Sequence, residues 1–90
     1  MKSLREFVVR SIAEACHLDP AAIQQSTRLA DIGFDSLSAV SLTGLIEAQY
    51  SLELSQSDIT VLYEAARVSD VIDLVTSAVV RNAETATHNG

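Results

Sequence analysis

The sequence predicts an all-α fold: a bundle of four helices, three main ones and one short third one. Three observations carry this. Apolar residues recur at three- and four-residue spacing in separate stretches, the period of a helix buried on one side. The 90 residues contain no Trp, two Tyr and two Phe, which suits a helical bundle better than a sheet. One Pro and three Gly are few for the many turns of an all-β chain. Hydrophobic residues make up 48%, enough for a packed core, and this length forms one domain of modest stability.

The first helix is expected over residues 3–17, where Leu4, Phe7, Val8, Ile12 and Ala15 fall on one side. Ser3, with Glu6 three residues later, has the pattern of a capping box. Asp19-Pro20 then marks a turn or a one-turn helix, because Pro fits the first helical position. Ile23 offers an apolar anchor after it. Residues 24–35, "QQSTRLADIGFD", read as a long link in which Leu29 and Ile32 are spaced to touch a core. Gly33 permits a backbone angle that other residues resist.

The second helix is expected from Ser36 to about Tyr50, with Asp35 or Ser36 itself as its N-cap. "SLELSQS" breaks the pattern, and the short third helix follows Ser57-Asp58 over about 59–64. The fourth starts at Ser69-Asp70 and carries Val71, Ile72, Val75 and Val79. "NAETATHNG" has no periodicity and reads as a disordered tail. The single domain is therefore expected over 1–82, with 83–90 as tail.

On a helical wheel the second helix has two apolar sides. Ala39, Leu42, Leu45 and Ile46 form the core stripe. Leu37, Val40, Gly44 and Glu47 fall roughly opposite, near Ser36, and form a smaller patch that should face solvent. Scattered surface apolars carry no meaning, but a patch beside a candidate site suggests docking. Gly44 costs roughly 1 kcal/mol relative to Ala in a helix interior. It reads either as tolerated drift or as room for a partner.

The formal charge of −6 argues against nucleic acid and anionic membrane as partners and favours basic docking surfaces. Cys16 is the sole cysteine, so no internal disulfide or multi-cysteine metal site forms. His17 and His88 have no ligand spacing around them. No apolar run approaches the length of a membrane span. The start "MKSLREFVV" lacks the apolar region of a signal peptide, so a cytoplasmic location is the default expectation.

Ser36, in "DIGFDSL", is the candidate functional residue. As a nucleophile it needs a base within reach, and only His17 and His88 could serve. "GFDSL" also lacks the second glycine of the G-x-S-x-G elbow. An enzyme is therefore not expected. At a helix start the hydroxyl is exposed where the backbone N–H groups favour an anion, so a phosphate ester would be well placed there. Spacing alone also allows a plain N-cap, the commoner use of such a serine.

The stretch "LADIGFDSLSAVSLTGLIEAQYSLEL" resembles the acyl carrier protein family. Its signature here is Gly33, Asp35, Ser36 and Leu37, with Asp-Ser-Leu opening the second helix. The resemblance extends over "LDPAAIQQSTRLADIG", Glu47 and "VSDVIDLV", most of the chain. It implies an acyl-carrier-like four-helix bundle. It implies that Ser36 carries 4′-phosphopantetheine, transferred from coenzyme A by a separate magnesium-dependent phosphopantetheinyl transferase. The arm's thiol would hold acyl intermediates as thioesters. Asp35 would support the transferase's metal site and cap the helix. Leu37, Val40, Gly44 and Glu47 would meet partners such as a ketosynthase or acyltransferase. Leu42 and Ile46 would border an interior able to shelter an acyl chain. A monomer is expected, and a discrete protein is favoured over a domain excised from a longer chain.

The departures point within the family. Ser38, Ser41, Ala48 and Gln49 stand where fatty-acid carriers frequently have acids, which weakens electrostatic steering along this helix. "GFDSLSAV" looks more like carriers of polyketide or other specialised pathways. The peptidyl carrier pattern expects a second Gly that "GFD" lacks, so a peptidyl or aminoacyl carrier ranks lower. A helical protein-interaction module that never carries an arm is the alternative outside the carrier class.

Overall fold

A computed structural model describes the backbone of residues 3–88 and the side chains of residues 3–83. Four helices appear in order: α1 (Leu4–Cys16), α2 (Ser36–Tyr50), α3 (Gln56–Glu64) and α4 (Val68–His88). Two short 3-10 turns, Pro20–Ala22 and Leu29–Ile32, lie in the connection between α1 and α2. No strand occurs among the described residues, and the all-helical bundle with a short third helix stands as predicted.

Local capping explains most boundaries. The Ser3 hydroxyl accepts the Glu6 amide at the start of α1, and His17 ends it at φ 59°. The Asp19 carboxylate accepts the Ala21 amide and starts the turn at Pro20. α3 starts three residues before the expected position. Its cap is Ser55, which accepts the Asp58 amide while the Asp58 carboxylate accepts the Ser55 amide. This reciprocal box satisfies two backbone donors that would otherwise be lost at a helix start.

The long link is not structureless. Leu29–Ile32 closes a 3-10 turn that ends on Gly33 at φ 74°, a left-handed angle that glycine adopts without steric cost. Leu29 is buried, and Ile32 and Phe34 pack against the core. The link is also tied to the α3–α4 connection. The Leu29 amide donates to the Ala66 carbonyl, the Val68 amide to Thr27 and the Ser69 amide to Gln25.

The core is a single cluster. Val8 and Ile12 from α1, Leu42 and Ile46 from α2, Leu62 from α3 and Val68, Val71 and Val75 from α4 are fully buried. Each such side chain contributes on the order of 1.5–3 kcal/mol. On α1 the buried alanine is Ala13; the expected Ala15 is only half-buried. Phe7 and Tyr50 meet edge to face at 5.5 Å and join α1 to α2. Across the other side, Arg81 Nη2 donates to Asp58 Oδ1 at 2.6 Å and joins α4 to α3.

The backbone of α4 continues to His88, so residues 83–88 of the expected tail are helical. No Pro or Gly interrupts the chain there, and extending an anchored helix needs no new nucleus. The last two residues of the expected tail lie outside the described residues.

Candidate functional site at the start of α2

Asp35 is the N-cap of α2. Its backbone is extended, and its Oδ1 accepts the Ser38 amide at 2.9 Å and the Ser38 hydroxyl at 3.1 Å. These two bonds hold its carboxyl below the usual aspartate range. Ser36 therefore does not serve as the cap. It is the first helical residue, exposed, and no hydrogen bond engages its hydroxyl among the described residues. Gly33 and the turn before it bring the chain back so that Asp35 enters the helix in extended form.

The wheel places the rest of α2 correctly in outline. Ala39, Leu42 and Ile46 are buried, while Leu45 is half-buried and Ser38 takes a buried position instead. Ser38 is covered because it faces the end of α1. There burial raises the Cys16 thiol above its ordinary pKa, the Ser38 hydroxyl opposes that rise and the Asp35 carboxylate adds to it. On the outer side Leu37 is 77% and Val40 58% exposed, and Gly44 is exposed beside them. Glu47 is half-buried and differently employed. Its Oε2 accepts the Leu54 amide at 2.9 Å and so pins the segment after α2.

Two clefts flank the start of α2. One, of about 310 Å³, holds Ser36 together with Leu29, Phe34, Ala39, Tyr63 and Ala65. The other holds His17, Cys16 and Leu37. Asp35 borders both. His17 thus lies across the helix start from the Ser36 cleft, whose own lining offers only Asp35 and Tyr63 as titratable groups. The cleft of Ser36 holds no histidine, and the Asp35 carboxylate in it is engaged by the Ser38 amide and hydroxyl.

The model of the family described as "Phosphopantetheine attachment site" matches residues 6–75. The chain belongs to this family. It is also 37% identical over 68 residues to the non-reducing polyketide synthase tazA of Aspergillus terreus, covering 76% of this chain and 2% of that protein. To the non-reducing polyketide synthase pkiA of Emericella nidulans it is 33% identical over 78 residues, covering 87% of this chain and 3% of that protein. The chain thus spans only a small fraction of these relatives' length. Its likeness to polyketide synthases is consistent with a carrier of the polyketide type. A phosphopantetheine-attachment domain is a carrier and a substrate of other enzymes, not a catalyst.

The group that this family carries is 4′-phosphopantetheine, a phosphate ester on a long flexible arm that ends in a thiol. The start of α2 fits it. The helix dipole favours the phosphate there. The adjoining cleft mixes apolar Leu29, Ala30, Phe34, Ala39 and Ala65 with polar Asp35, Ser36 and Tyr63. Leu42 and Ile46, expected to border a shelter for the acyl chain, are fully buried core residues and line neither cleft at the start of α2. Tyr63, Ala65 and Phe34 were not singled out from the sequence, and Leu29 was expected only as a core anchor. Tyr63, an aromatic on the short third helix, carried the nearest thing to a signal, but nothing local says that it approaches Ser36.

Proposed function

We propose that Ser36 is the attachment residue and that this chain presents polyketide intermediates as thioesters on its arm. One observation carries the assignment: an exposed serine opens α2 with its hydroxyl unengaged, while Asp35 alone does the capping. In the loading step the Ser36 oxygen attacks the pantetheine-side phosphorus of coenzyme A. A new O–P bond forms, the bond to the nucleotide phosphate breaks, and the serine proton passes to a base of the transferase. Asp35, exposed beside Ser36, is free on its outer side to meet that enzyme's metal.

Leu37 and Val40 form the surface on which the transferase and the synthase enzymes settle, and Gly44 extends it on the side of the synthase enzymes. A patch with two exposed aliphatic side chains beside the attachment residue costs solubility unless a partner covers it. Ketosynthase and acyltransferase partners, a monomeric state and a cytoplasmic site of action belong to the same proposal. The cleft formed by Leu29, Phe34, Ala39, Tyr63 and Ala65 receives the arm when no partner holds it.

Mass spectrometry tests the assignment. The protein is incubated with coenzyme A, magnesium and a broad-specificity phosphopantetheinyl transferase. A gain of one phosphopantetheine is expected, and none for Ser36→Ala. No gain in the parent protein, or a gain that persists in Ser36→Ala, rejects Ser36 as the attachment residue.

A further inference from the structure

Ser38 makes a bond that helix formation does not require. It is the third residue of α2, and both of its donors go to one atom. Its amide reaches Asp35 Oδ1 at 2.9 Å, and its hydroxyl reaches the same oxygen at 3.1 Å. The amide bond alone makes the cap. At the same position of α3, Asp58 turns its side chain back to accept the Ser55 amide and so satisfies a second backbone donor. Elsewhere in the helices Thr43, Thr60 and Thr76 return their hydroxyls to the carbonyl four residues back. Ser38 does neither. Its hydroxyl goes to the orientation of a carboxylate.

Burial makes that bond durable. Ser38 is 7% exposed, with Cys16 of α1 beside it in the same cleft, so water competes little for the hydroxyl. The two donors belong to one residue and cannot drift apart. No hydrogen bond of ordinary geometry engages Asp35 Oδ2 among the described residues. Without the hydroxyl the carboxylate has a second way to bond. An N-cap side chain accepts from the second or the third helical amide, and the Leu37 amide already lies close enough to act on Asp35. The carboxylate can then tip toward the helix, one oxygen on the Ser38 amide and the other on the Leu37 amide. No oxygen is left to project outward.

We propose that Ser38 is a positioning residue for loading: its hydroxyl holds Asp35 so that Oδ2 stays turned outward beside Ser36, where the transferase's metal meets it. Ser38 acts only through Asp35 and touches neither coenzyme A nor the metal. The inference rests on Ser36 being the attachment residue.

The test follows mass gain over time with coenzyme A and a broad-specificity phosphopantetheinyl transferase, at varied carrier and magnesium concentrations. Ser38→Ala should lower kcat about tenfold, the effect of one hydrogen bond to a charged group. KM for the carrier should stay unchanged, because Leu37 and Val40 still dock, and the magnesium needed for half the maximal rate should rise. Ser38→Thr keeps the hydroxyl and has room for its methyl in the adjoining cleft of about 320 Å³, so it should restore both values. Thr43→Ala, which removes another hydroxyl of α2, should load as the parent does. A second readout needs no transferase. In isotope-labelled protein, scalar coupling through the hydrogen bond from Asp35 Cγ should reach the Ser38 nitrogen in the parent, and both the Ser38 and Leu37 nitrogens in Ser38→Ala. An unchanged kcat in Ser38→Ala, a loss confined to KM, a magnesium requirement that does not move, no restoration by threonine, or a Leu37 nitrogen that stays uncoupled overturns this inference and leaves Ser36 standing. A parent that gains no arm, or a gain that persists in Ser36→Ala, overturns the Ser36 assignment and this inference together.

Discussion

The starts of α2 and α3 use the same two residue types in opposite ways. At α3 the serine is the cap: Ser55 and Asp58 satisfy each other's amides, and Asp58 is further held by Arg81 of α4. At α2 the aspartate is the cap, and the serine after it keeps a free, exposed hydroxyl. Both arrangements satisfy the helix end. The first closes it with contacts from two elements. The second leaves one oxygen projecting into solvent at the positive end of a helix. A serine beside a completed cap is available for chemistry; a serine that makes the cap is not.

The largest effect should separate the two serines. Ser36→Ala should lose loading completely, with thermal stability within about 0.5 kcal/mol of the parent, the usual range for a surface change. Ser55→Ala should load normally and lose about 1 kcal/mol of stability, the usual value of an N-cap. Equal loading by both variants would erase the contrast.

Asp58→Ala should be the costliest change in stability at these two sites. It removes one side of the box and the partner of Arg81, a loss of about 2 kcal/mol measurable by urea denaturation. Arg81→Ala should lose less, because that side chain is 55% exposed and the pair is partly screened by solvent.

Acid should reveal the same ranking. Burial raises the Asp58 carboxyl, but the bonds from Arg81 and Ser55 outweigh it and hold the pKa below 3.8. The bonds from Ser38 hold Asp35 below 3.8 as well. A depressed carboxylate contributes its stability in full above its unfolded value, and that contribution is lost as pH falls through the folded value. Helicity followed by circular dichroism should therefore fall below pH about 4. Asp58→Asn should flatten that dependence more than Asp35→Asn. A larger effect at Asp35 would mean that the α2 cap carries more of the fold than its exposure suggests.

The smallest effect concerns the face beside Ser36. A Cβ added at Gly44 meets nothing within 4 Å, and the backbone there is helical. Gly44→Ala should raise stability by up to about 1 kcal/mol and leave loading unchanged. Slower acyl transfer in this variant, with loading intact, would show that a partner backbone comes close at this point.

The sequence by itself determined the start of α1 at Ser3, the turn at Asp19-Pro20 and the span of α2. These depend on hydrogen bonds between residues two to four apart, whose types are legible in order along the chain. It also determined the two sides of α2, because the helical period decides which residues point together. Whether Asp35 or Ser36 capped α2 stayed open in the sequence, since both residue types can do so. The structure decided it by placing the Ser38 amide on Asp35. α3 began earlier than expected because its cap is Ser55, two residues before the Ser57-Asp58 pair that looked like the start.

Only the tertiary structure brought Tyr63 and Ala65 to the cleft of Ser36, joined Arg81 to Asp58 across 23 positions and tied the long link to the α3–α4 connection. It also gathered Glu64, Asp70 and Asp73 around one groove, and it engaged Glu47 with the Leu54 amide rather than leaving it free on the outer face. The physical reason is the same in each case. A cap is written within one turn of the helix it starts, whereas a cleft between elements depends on how their faces pack once the core has closed.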